Sequence, residues 1–182
     1  EKVVLFLGRI TMQKGPEYFL SAARRVLEKD DSVKFIMAGS GDMMPRMVET
    51  VAEMGIGRNV FFTGFLRGPE VENAFRMADV YVMPSVSEPF GITPLEAIRN
   101  DVPVIISKQS GVAEVLTHAL QVDFWDVDKL ADRILAVLRH PSLRQALRAN
   151  SRAELPNFSW DSAAQECAAV YRDVSHSMAH VA

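Results

Sequence analysis

Two carboxylates and two cations carry most of the chemistry this 182-residue chain could perform. Glu88 and Glu96 stand eight residues apart in Ser85-Val-Ser-Glu-Pro-Phe-Gly-Ile-Thr-Pro-Leu-Glu-Ala97. The stretch follows an apolar run, Val80-Tyr-Val-Met83, that reads as a buried strand, and it opens a helix. Gly91 lets the backbone approach a ligand closely, and Thr93-Pro94 reads as an N-cap followed by proline at the first helical position. A helix N-terminus behind a parallel strand favours an anion through its free N–H groups and its dipole. Carboxylates beside it are placed to accept hydrogen bonds from the hydroxyls of a phosphorylated sugar. A plainer reading stands next to this one. Thr93-x-x-Glu96 is also a capping box, and Glu88 alone is an ordinary loop carboxylate.

The cations are Arg9 and Lys14 in Gly8-Arg-Ile-Thr-Met-Gln-Lys-Gly15, which follows the strand-like Lys2–Leu7. A planar arginine fork with a mobile lysine suits a diphosphate of about two negative charges. A preorganised positive field is also what stabilises such a leaving group. Familiar phosphate loops do not fit. Gly39-Ser-Gly41 continues as Asp-Met-Met without the third glycine of a dinucleotide fingerprint. Gly8–Gly15 has no second glycine before Lys14 and no hydroxyl residue after it, so it is not a Walker loop.

These residues need a scaffold that brings them to one end. Apolar runs at Lys2–Leu7, Lys34–Ala38, Val60–Thr63, Val80–Met83, Val104–Ser107 and Leu120–Val122 read as strands. Helical patterns lie between them and over Asp128–Arg139, Ser142–Ala153 and Ser159 to about Val174. Strands apolar throughout and alternating with helices predict an α/β fold, a Rossmann-like doubly wound parallel sheet of about six strands with helices on both faces. In such sheets ligands bind beyond the carboxyl ends of the strands, which is where these loops lie.

The length and an apolar share of 48% allow one domain over residues 1–182, with no internal repeat or linker. A net charge of −3 without a basic run excludes a nucleic-acid surface. The single cysteine, Cys167, reads as a small core residue and fits a cytoplasmic setting. The nine methionines read as core filler. His118, His140, His176 and His180 lack ligand spacing, so no metal site is expected; His140 suits a helix C-terminus, and His176 and His180 a frayed tail. Arg144, Arg148 and Arg152 recur four apart as a solvated helix face, the alternatives being contact with anionic lipid or another domain. The chain begins without methionine and enters a strand at once, as a fragment would.

As a set, the motifs Gly8-Arg9 with Lys14-Gly15, Ala38-Gly39-Ser-Gly41, Phe62-Thr-Gly64-Phe, Ala78-Asp79-Val, Ser87-Glu-Pro-Phe-Gly91 and Leu95-Glu-Ala97 resemble a known family. They are similar to the C-terminal domain of a family 4, or group 1, glycosyltransferase, a retaining enzyme of two-domain GT-B architecture. Phe158-Ser-Trp160 before the last helix fits as well, so the resemblance spans roughly residues 2–175.

The resemblance implies that Arg9 and Lys14 bind the donor diphosphate and steady it as it leaves. Glu88 would contact hydroxyls of the transferred sugar, and backbone amides around Phe90, Gly91, Ile92 and Thr93 would hold sugar and phosphate. Glu96 would accept from the ribose, Leu66 would pack the base, and Gly41 would admit the nucleotide closely. It implies a UDP- or ADP-sugar donor such as UDP-glucose, a hydroxyl acceptor, and no metal or other cofactor. The partner it implies is an N-terminal acceptor-binding domain, with peripheral membrane association of the full-length protein and little transfer by this part alone. Pro89 stands where most relatives carry glycine or serine, and Thr117-His-Ala-Leu-Gln121 replaces a glycine-containing turn and shortens a loop. A nucleotide-binding sensor or scaffold without chemistry is the alternative.

Overall fold

The computed structural model describes the backbone of residues 1–179 and the side chains of residues 1–175. His180 and the side chain of His176 lie outside the described residues. Six strands form one sheet: β1 (Val3–Leu7), β2 (Lys34–Ala38), β3 (Val60–Gly64), β4 (Val80–Met83), β5 (Val104–Ser107) and β6 (Leu120–Val122). Their order is β3-β2-β1-β4-β5-β6 and every pairing is parallel. The helices are α1 (Pro16–Leu27), α2 (Met44–Glu53), α3 (Pro69–Met77), α4 (Thr93–Arg99), α5 (Val127–Arg139), α6 (Pro141–Glu154) and α7 (Trp160–Ala179). The doubly wound expectation is met. The chain winds outward from β1 to β3, then returns to place β4 on the other side of β1, so the order switches between β1 and β4.

All four residues of β4 and of β5 are buried because helices cover both faces of the sheet. One core joins Phe19 and Val26 of α1 and Ile134 of α5 to Phe35 and Met37 of β2. The Phe19 ring lies 5.5 Å from Phe6 and 5.7 Å from Phe35. Truncating so enclosed a ring to alanine costs about 3–5 kcal/mol. The opposite core joins Phe75 of α3 and Ile98 of α4 to Tyr81, Val104 and Ile106.

Three expectations need correction. Arg144, Arg148 and Arg152 of α6 are a solvated face only in part, since Arg152 is exposed and Arg144 is largely enclosed. Arg144 donates to Asp79 at 3.2 Å, Arg148 buries its Nε, and Arg152 pairs with Asp101 through both carboxylate oxygens at 2.6 and 2.8 Å. Asp79, far away in sequence, draws the Arg144 end of this face onto the domain. Cys167 is exposed rather than core, because α7 lays few side chains on the sheet: Trp160, Val170, Tyr171 and Val174 are exposed too. Among the methionines, Met37, Met47 and Met83 fill the core, whereas Met12 and Met77 are exposed.

Candidate functional site

The loops after β1 and β4 flank the switch in strand order. The first is held from beneath, where Gly8 N–H donates to the Ala38 carbonyl and Ile10 N–H to the Ser40 carbonyl, both at 2.9 Å. It then meets the second loop, where Val86 N–H donates to the Gln13 carbonyl at 2.9 Å. Gly15 makes this approach possible: its φ is +66°, and a Cβ there would stand 2.1 Å from the Pro84 carbonyl oxygen. On its other side the β4 loop is fastened to the loop after β5. Glu88 N–H donates to the Gln109 carbonyl at 3.3 Å, Gly111 N–H to the Glu88 carbonyl at 2.9 Å, and Val112 N–H to the Phe90 carbonyl at 2.8 Å. The Glu88 N–H and carbonyl are therefore both held by the loop after β5.

Its side chain reaches across the switch. Lys14 Nζ donates to Glu88 Oε2, with the two side chains 19% and 11% exposed. Glu96 is exposed on α4, and its carboxylate makes no hydrogen bond or ion pair among the described residues. Beneath them Tyr81 is wholly enclosed, its hydroxyl bonded to Thr93 Oγ1 at 2.9 Å and to the Leu7 carbonyl at 3.2 Å. Burial pushes the Tyr81 phenol well above its ordinary value; the Thr93 hydrogen bond opposes this, and the charges of Glu88 and Glu96 add to it.

The capping box is not formed. Ile92 is the residue before the helix and is itself helical (φ −76°, ψ −33°), so Thr93 occupies the first helical position. Its hydroxyl is taken by Tyr81, which as a buried phenol needs a partner. Glu96 is thereby free of a capping role. The backbone N–H groups of Gly91, Ile92 and Thr93 have no acceptor among the described residues, while the Phe90 and Ile92 side chains are exposed.

A cleft of about 400 Å³ opens on the β2–β3 side, lined by Leu7, Gly8, Arg9, Gly39, Ser40 and Leu66, among others. Its floor requires Gly39, whose φ is +141° and whose added Cβ would fall 1.8 Å from the Gly8 carbonyl oxygen. Arg9 reaches from the cleft to Gln13 Oε1 at 3.3 Å. Gly41 stands outside the cleft, and its missing side chain is already demanded by packing, with the Ile10 carbonyl 2.2 Å from the Cβ position. The ten residues singled out from sequence thus fall into two neighbouring groups. Lys14, Glu88, Glu96 and the Phe90–Thr93 turn gather at the switch, Arg9 and Leu66 at the cleft, and Gly41 lies behind them.

Sequence reasoning passed over Tyr81, Gln13 and Gln109, which position these groups. Only Tyr81 left a signal, as a phenol inside an otherwise aliphatic buried strand. Among the described residues no three His, Cys, Asp or Glu side chains converge as metal ligands would.

The chemistry offered is anion binding by two cations beside a carboxylate pair that accepts from hydroxyls. Residues 1–154 match the family model described as glycosyl transferases group 1. An uncharacterized glycosyltransferase of Methanocaldococcus jannaschii, MJ1607, is 36% identical over 177 residues, which are 94% of this chain and 45% of that protein. The 2-deoxystreptamine N-acetyl-D-glucosaminyltransferase of Niallia circulans is 33% identical over 158 residues, 85% of this chain and 41% of that protein. Among solved structures, sucrose-phosphate synthase of Thermosynechococcus elongatus superposes with a TM-score of 0.83 at 26% identity, covering 97% of this chain and 46% of that one. The chain spans less than half the length of these relatives.

Proposed function

The chain belongs to the group 1 glycosyl transferases, and on that premise we propose that it is the donor-binding part of a cytoplasmic retaining enzyme that moves a sugar from a UDP- or ADP-sugar to a hydroxyl acceptor. The observation that carries this reading is the meeting of Lys14 and Glu88 at the switch in strand order, beside a cleft that Arg9 and Leu66 line. The base lies in the cleft against Leu66, and Glu96 accepts from the ribose. The diphosphate lies between Arg9 and Lys14, with the free amides of Gly91, Ile92 and Thr93 as further donors. Glu88 accepts from the sugar hydroxyls.

Charge accumulates on the β-phosphate as the glycosidic bond breaks, and the two cations stabilise that charge more than they stabilise the bound donor. This supplies the electrophilic assistance without a metal. A second part, in the length by which the relatives exceed this chain, would bring the acceptor. The sensor alternative gains nothing from relatives named as transferases.

Calorimetric titration of the chain with UDP, ADP and GDP tests the site. One diphosphate should bind, and Lys14→Ala and Glu96→Gln should each weaken it about tenfold. Binding that ignores both substitutions, or none by a folded wild-type chain, overturns the proposal.

A further inference from the structure

The ion pair at the switch has a consequence for which ligand the site prefers, on the reading of that site as a nucleotide-sugar site. Lys14 and Glu88 are each other's only side-chain partners among the described residues. No other side chain among the described residues donates to Glu88. The Tyr81 hydroxyl is engaged by Thr93 and Leu7. The Gln109 side chain is engaged by Ser107 at 2.8 Å and Asp123 at 3.3 Å. Its N–H and carbonyl are both held by the loop after β5 and its side chain is only 11% exposed, so Glu88 has little access to water as it stands.

We infer that Lys14 and Glu88 form an exchange switch that makes the site favour the sugar-bearing nucleotide over the bare nucleoside diphosphate. A diphosphate that draws Lys14 away leaves Glu88 charged, enclosed and without a donor, a state far costlier than an intact pair. A nucleotide sugar draws Lys14 away too, but brings hydroxyls that donate to the vacated carboxylate. Once the sugar has left with the acceptor, Glu88 is again without a donor. It recaptures Lys14, the diphosphate loses one of its two cations, and the spent nucleotide is released. Lys14 thus answers to whichever anion is the less satisfied.

The test is titration of the chain with UDP, UDP-glucose, ADP and ADP-glucose in wild type, Glu88→Gln, Lys14→Ala and the double variant. Glu88→Gln should bind the cognate bare diphosphate about tenfold more tightly than wild type does, because no charge is stranded. The nucleotide sugar should gain nothing or lose affinity, so the preference for it narrows. In the Lys14→Ala background, where Glu88 is already without its partner, the gain from Glu88→Gln should vanish. A gain that persists in full there shows plain repulsion between Glu88 and the phosphates and overturns the exchange. So does the absence of any gain when Lys14 is present. Failure of every nucleotide to bind wild type and variants overturns the donor-site reading and the exchange together. Circular dichroism confirms folding, and Glu88→Ala replaces Glu88→Gln should the latter misfold.

Discussion

Two lysine–carboxylate pairs join β1 to β4, one at each end of these neighbouring strands, and they are built differently. At the amino ends Asp79 accepts from Lys2 at 2.9 Å, Val3 N–H at 3.0 Å and Arg144 at 3.2 Å. At the carboxyl ends Glu88 accepts from Lys14 alone. Depth does not separate them, since the carboxylate side chains are 19% and 11% exposed. The number of donors does. A carboxylate offers about four lone-pair sites; with three taken it is a structural fastening, and with one taken it has capacity left for a ligand. One pair holds β1, β4 and α6 together, and the other waits for something outside the protein.

The largest expected effect follows from that unfilled capacity. Glu88→Gln in a protein carrying the acceptor-binding part should lower transfer by about 10²–10³-fold, the scale of hydroxyl contacts that strengthen in a glycosyl-transfer transition state. Urea denaturation of the same variant should show stability within about 0.5 kcal/mol of wild type, because freed Lys14 can extend into water. A large stability loss with transfer intact would invert the comparison. Asp79→Ala is the converse. It strands an enclosed N–H and a largely enclosed guanidinium, so denaturation should show a loss of about 2–3 kcal/mol. Nucleotide affinity should not move, and a drop in affinity would mean the two ends are coupled along the strands.

The same contrast explains what could be read from sequence. All six strands were legible because each is a mostly apolar run between helical patterns, and their order of winding sends the loops with Arg9, Lys14, Glu88 and Glu96 to one end. That Lys14 would bond Glu88 directly, 74 residues away, was not legible, since alternation places loops and not rotamers. Thr93 was misread for the same kind of reason. Its local sequence is a sound capping signal, but a buried phenol twelve residues earlier takes its hydroxyl. The α6 arginines read as solvated because helical period says which residues share a face, not what the face meets; Asp79, 65 residues before Arg144, decided that. Cys167 failed likewise, in an Ala-rich helical pattern on a helix that leans little on the sheet.

Glu96 sharpens the comparison at a smaller scale, being a carboxylate with no donor at all among the described residues. Glu96→Gln should weaken binding of the cognate diphosphate about tenfold while leaving the urea midpoint unchanged. Were Glu96 a capping residue after all, the midpoint would fall by the equivalent of about 0.5–1 kcal/mol and binding would be spared.

The smallest effect concerns a third carboxylate, Glu154 at the end of α6, which tests whether donor number governs behaviour away from the switch. It accepts from the Thr117 hydroxyl, from Thr117 N–H at 3.1 Å and from His118 N–H at 3.4 Å, and it meets His118 Nδ1 at 2.9 Å. Burial favours the protonated acid, but the hydrogen bonds from Thr117 and His118 outweigh it and hold Glu154 below the ordinary carboxylate value. A carboxyl group lowered on folding contributes stability that is present in full above its unfolded pKa and fades as pH falls through the folded one. The melting temperature of wild type should therefore exceed that of Glu154→Gln by an amount steady above about pH 5 and shrinking toward zero below about pH 4. The plateau should correspond to about 1 kcal/mol, since His118 is half exposed and its share is screened. If the difference instead grew on acidification, burial would have won over the hydrogen bonds. A saturated carboxylate would then not be the simple fastening that Asp79 and Glu154 share.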